Sequence, residues 1–133
     1  MDAARSVVLL DVEPGHGAFD REMLERLEHP VTMCNGPEMG TLCPLLGGHG
    51  CEKFEQAHGI VFALDLDRPQ HRAILRNYRA LGRDDLPIRV VVRPDQVERY
   101  AELLGDVEVW THEPTIADLD GFAAGVESVD RMG

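Results

Sequence analysis

All three cysteines of the chain, Cys34, Cys43 and Cys51, stand in one stretch, CNGPEMGTLCPLLGGHGC. His49 lies inside it, and His16 lies upstream between two glycines in EPGHG. Three thiolates and one imidazole would complete a tetrahedral zinc site, and three thiolates with a fourth ligand could carry an iron–sulfur cluster. The spacing is C-x8-C-x7-C, without the close C-x2-C pair common in metal sites. The same thiols could therefore work as a reversible thiol–disulfide switch, or simply pack. Cys51 opens a short helical pattern, where a helix dipole would lower a thiol pKa.

Four carboxylates form the second candidate. Asp11 and Glu13 follow the first apolar run, and Asp65 and Asp67 follow the third. Hard oxygen ligands of this kind suit Mg²⁺. Asp67 could instead cap a helix, and Glu13 could be a solvated turn residue. His16 suits a ligand or a general base, and equally an exposed turn. Trp110 and His112 read as packing and surface groups. The chain contains no G-x-G-x-x-G, no G-x-x-x-x-G-K-[ST], no G-x-S-x-G and no H-E-x-x-H. A Cys34–His16–Asp11 hydrolase is conceivable, but nothing in the spacing fixes its geometry. The expectation is a binding or regulatory chain, not an enzyme.

Stepping outward, these residues sit at the ends of short apolar runs. SVVLLDV, PVTMC, GIVFALDL, PIRVVV and VEVWT, beginning at 6, 30, 59, 87 and 107, are continuous enough for strands buried on both faces. Helical patterns alternate with them. FDREMLERLEH stripes Phe19, Met23, Leu24 and Leu27, and CEKFEQAHG follows the cysteines. RPQHRAILRNYRALG stripes Ile74, Leu75, Tyr78 and Leu81, and DQVERYAELLG stripes Val97, Ala101 and Leu104. TIADLDGFAAGVESVDR carries Ile116, Leu119, Ala123, Val126 and Val129, opened by a Thr115–Asp118 capping box. Five strands alternating with five helices predict a doubly wound five-stranded parallel sheet. The irregular Cys/Gly/Pro-rich segment after the second strand interrupts that rhythm.

The chain has 133 residues, enough for one domain over 1–133 with its own core. It is 44% hydrophobic and 28% charged, as soluble domains are. A net charge of -11 disfavours direct nucleic-acid binding, and Lys53 is the single lysine. No apolar run reaches the roughly 20 residues a membrane span needs. The start, MDAARSVVLLDVEP, does not read as a secretory signal, so a cytoplasmic location with reduced thiols is expected.

The words LLDVEP and VFALDLDRP, followed by HRAILRNYRALGRDDLPIRVVV, resemble a response-regulator receiver domain over roughly 6–129. The resemblance implies a flavodoxin-like fold of strand order 2-1-3-4-5, with Asp65 at the phospho-acceptor position and Asp11 and Glu13 as the acids after strand one. Ligands of such sheets gather at the carboxyl ends of the strands, so Cys34 would emerge near the same pocket. Two positions depart from the pattern. Receivers carry Ser or Thr where this chain has Val92, followed by Arg93, and Lys where it has Glu113 before Pro114. A Glu there repels an aspartyl phosphate. The expectation is a stand-alone pseudo-receiver with a cysteine-loop input, acting on a protein partner and pairing through TIADLDGFAAGVESV. The alternatives are a small thiol-redox or metal-handling protein, a receiver phosphorylated on Asp65, and a plain structural domain.

Overall fold

A computed structural model describes residues 7–13, 17–34, 56–81 and 86–132, giving the backbone alone for 81 and 127–132. Five strands form one sheet: β1 (Val8–Val12), β2 (Val31–Cys34), β3 (Gly59–Ala63), β4 (Ile88–Val91) and β5 (Glu108–Trp110). They lie in the order β2-β1-β3-β4-β5, and every pairing is parallel. Parallel neighbours require crossovers, and among the described residues five helices lie between the strands or after the last one. These are α1 (Ala18–Arg26), α2 (Pro69–Leu81), α3 (Pro94–Arg99), α4 (Ala101–Leu104) and α5 (Ile116–Met132).

The two-residue period of the strands divides the core into two layers. Val8, Leu10 and Val12 pack with Leu24, Leu119 and Ala123, and so against α1 and α5. Leu9, Ile60 and Phe62 pack with Ile74, Leu75, Tyr78 and Leu104, and so against α2 and α4. Phe62 and Tyr78 meet edge to face, with ring centroids 6.2 Å apart. Covering both faces explains why every residue of β1 is buried. Gly59 opens β3 because α5 crosses close above it. A Cβ there would come within 2.5 Å of Val126 Cγ2, so a larger residue would push α5 off the sheet.

Two expectations need correcting. The stripe on α1 is narrower than the pattern suggests, since only Leu24 is buried in that helix while Phe19 is 64% exposed and Leu27 45%. The helix expected over 95–105 is two pieces, α3 and α4, parted at Tyr100 (φ -115, ψ 29), with Ala101 exposed. It begins one residue early because Pro94, with its fixed φ, suits the first helical position. The helix expected over 51–59 falls almost wholly outside the described residues, as do Cys43, Cys51, His49 and His16. The Thr115–Asp118 box is present in both directions: Thr115 N–H donates to Asp118 Oδ2 at 3.0 Å, and Asp118 N–H to Thr115 Oγ1 at 3.1 Å.

Candidate functional site

The carboxyl ends of β1, β3, β4 and β5 surround an open cleft of about 450 Å³. Four carboxylates line it: Glu13 beyond β1, Asp20 on α1, Asp65 beyond β3 and Glu113 beyond β5. Among the described residues the basic side chains of its wall are Arg93 and His112. Asp11 lies one strand-end further in, 1% exposed, paired in register with Cys34 on β2. Cys34 is half-buried and packs against the α2 side of the core.

Asp65 is held at three of its polar atoms. Its N–H donates to Glu13 Oε1 at 3.2 Å. Its carbonyl accepts from Nδ1 of buried His71 at 2.7 Å, which fixes the proton on that nitrogen because a carbonyl can only accept. His71 Nδ1 also lies 3.8 Å from Glu13 Oε1. Asp65 Oδ1 accepts from the Asp67 N–H and from Gln96 Nε2, both at 3.0 Å, and Arg93 approaches it at 3.5 Å.

Asp67 is not part of the cleft wall. Its Oδ1 accepts from the Tyr100 hydroxyl at 2.6 Å and from Arg99 at 2.9 Å, and its Oδ2 pairs with Arg93. The Tyr100 hydroxyl, then Gln96, Arg99 and Arg93, hold its carboxyl down at about 2 against the opposing effect of desolvation. The cap position before α2 falls to Arg68, with Pro69 the first helical residue. Across the cleft the sign reverses. Burial first, and the nearby Glu113 second, push the Asp20 carboxyl above its ordinary range.

Of the expected residues, the structure brings Glu13 and Asp65 to one cleft wall and turns Asp67 outward. Val92 is buried, and Glu113 stands at the cleft beyond β5. His58, just before β3, accepts the Val7 N–H at Nδ1, 3.0 Å away. His112 is exposed and meets Asp118 at 3.2 Å. Among the described residues no group of three or more His, Cys, Asp or Glu could hold a metal ion, and no helix is long and apolar enough to cross a membrane. Sequence reading assigned no part to Asp20, His71, Gln96, Arg99 or Tyr100. One available signal was the Asp95–Arg99 spacing, which puts opposite charges on one helix face.

Solved structures show what this architecture is. The receiver domain of the Francisella response regulator 1452 covers 98% of this chain and 100% of its own, at 15% identity and TM-score 0.63. A CheY-like response regulator receiver domain protein from Methanospirillum hungatei matches with the same coverage and TM-score at 13% identity. A response regulator protein from Burkholderia multivorans matches 92% of this chain and 94% of its own, at 15% identity and TM-score 0.57. The fold is that of response-regulator receiver domains. No protein-family model and no curated protein matches the sequence.

Proposed function

We propose that this chain is a pseudo-receiver: a regulatory module with the receiver fold that does not run on phosphorylation of Asp65. The observation that carries this reading is Glu113 at the cleft, where its charge raises the proton affinity of Asp20. Converting the Asp65 carboxylate into an acyl phosphate would put about two negative charges where one stands now, in a wall that holds three other carboxylates. Two further features support it. Val92 offers no hydroxyl to a phosphoryl oxygen, and Asp65 Oδ1 is occupied by three donors of the chain itself. The output is a protein–protein surface.

For the input we propose the segment from Cys34 to Cys51, through zinc, an iron–sulfur cluster or thiol oxidation. What supports this is the end of β2: Cys34 pairs in register with Asp11, at the carboxyl end of the sheet where the cleft lies. Elemental analysis of protein purified without oxygen or chelators tests the metal form. Stoichiometric zinc or iron that disappears in Cys43→Ser supports it, and no metal with three titratable thiols removes it. The phosphorylation question is settled by incubation with acetyl phosphate and Mg²⁺, read by intact mass. The expected result is no phosphoryl adduct. An adduct lost in Asp65→Asn would overturn the pseudo-receiver reading in favour of an ordinary receiver.

A further inference from the structure

The residues around Asp67 form a network that begins at the cleft wall, with Asp65, Arg93 and Gln96, and extends outward to Asp67, Arg99 and Tyr100. Arg93, at the start of α3, reaches Asp65 (3.5 Å), Asp67 and its neighbour Asp95 (3.6 Å). Arg99, one turn further on, bridges Asp67 (2.9 Å) and Asp95 (3.0 Å). Gln96, 2% exposed, joins the two ends: its Oε1 accepts the Arg93 N–H at 3.0 Å, and its Nε2 donates to Asp65 at 3.0 Å. Tyr100 donates to Asp67, and the guanidiniums of Arg99 and Arg72 lie 5.9 and 5.5 Å from its ring centroid. Arg72 is itself anchored on α2, donating to the Leu66 carbonyl at 2.8 Å.

An isolated surface ion pair contributes only about 0–1 kcal/mol, because two long side chains must be ordered for one contact. Here each guanidinium serves at least two carboxylates, so the ordering is shared, and a buried amide fixes the geometry of one side. The network also crosses elements. The bonds of Arg93, Gln96, Arg99 and Tyr100 to Asp65 and Asp67 join α3 and its two flanking residues to the β3–α2 turn, and the Arg72 ring contact joins Tyr100 to α2.

We propose that Arg93 and Arg99 form a built-in clamp that holds α3 on the β3–α2 turn, so that the chain's own counter-charges fix the position of this helix. The clamp deepens the pseudo-receiver reading and rests on it for its meaning: α3 is set by Arg93, and any ligand that shifts α3 must first displace that guanidinium from Asp65 and Asp67. The parting of the helix at Tyr100 fits this role. It leaves α3 as a short separate piece whose placement depends on side chains more than on continuity with α4.

Amide hydrogen exchange on the full chain tests it, with wild type, Arg93→Ala, Asp67→Asn and the double variant. The expected result is exchange of the 96–101 amides faster by roughly threefold or more in each single variant, with β1 and β3 amides unchanged. The double variant should be no faster than Arg93→Ala, since both changes remove one network. Tyr100→Phe, which deletes a single hydroxyl, should give a smaller increase in the same segment. Unchanged 96–101 exchange relative to the sheet in both single variants overturns the clamp, as do strictly additive effects in the double. These outcomes are independent of the phosphodonor experiment, so the clamp and the pseudo-receiver reading fail separately.

Discussion

Two regions flanking the cleft treat the same functional group in opposite ways. On the β3–α3 side, Asp67 is surrounded by a phenol and two guanidiniums, and its carboxyl titrates at about 2. On the α1–β5 side, Asp20 is partly desolvated beside Glu113, and its carboxyl is pushed upward. Neither result follows from Asp as a residue type. What separates them is whether the folded chain delivers hydrogen-bond donors, a phenol first and then an amide and guanidiniums, or burial with a second carboxylate nearby. One side has been closed by internal pairing, while the other keeps unspent negative charge facing the cleft.

The largest expected effect reverses the charge that adds to burial at Asp20. Glu113→Lys should lower the proton affinity of Asp20, since a cation replaces an anion at the same place. An NMR titration of the Asp20 carboxyl reads this directly, and an unchanged midpoint would mean that burial alone raises it. Next in size is Tyr100→Phe, which removes the largest contribution holding Asp67 down. Its midpoint should move up from about 2 toward the ordinary 3.8, and a fixed midpoint would shift the credit to the arginines.

The two sides should also oppose each other in stability. The folded-state pKa of Asp67 is depressed, so its contribution is fully present above the ordinary value of 3.8 and is lost as pH falls toward about 2. Between pH 5 and pH 8 the clamp should therefore be insensitive to pH. Asp20 has a raised folded-state pKa, so its ionised form disfavours folding above that pKa, and the penalty fades as pH falls through it. Asp20→Asn should raise the melting temperature at pH 7, with a gain that shrinks on acidification. A melting temperature that falls at pH 7 would show that Asp20 makes a stabilising contact instead. The smallest effect is that of salt. At 1 M ionic strength the Debye length is about 3 Å, so exposed pairs weaken, but the Asp67 contacts at 2.6 and 2.9 Å are direct hydrogen bonds and should persist. Exchange at 96–101 should rise only slightly.

Much of the fold was legible because its signals are local and repeated. Continuous runs such as GIVFAL mark strands covered on both faces, and the Thr115–Asp118 spacing marks a helix start. The α1 stripe misled because apolar spacing shows which residues share a helix face, not how much of that face another element covers. The site was legible only in part. Glu113 and Val92 could be placed by strand ends, and Asp65 with them. Asp67 could be read as a cap, because its reach to Tyr100 spans 33 positions of sequence. No local spacing announces a pair of that separation.

The sequence by itself determined the order of strands and helices, the carboxylates at the strand ends, and the absence of a hydroxyl at 92 and of an ammonium at 113. These follow from residue type and short-range period. Only the tertiary structure decided which carboxylate meets a guanidinium and which meets another carboxylate. Proton affinity depends on charges a few ångströms away in space, and the parallel crossovers bring together residues that lie far apart along the chain.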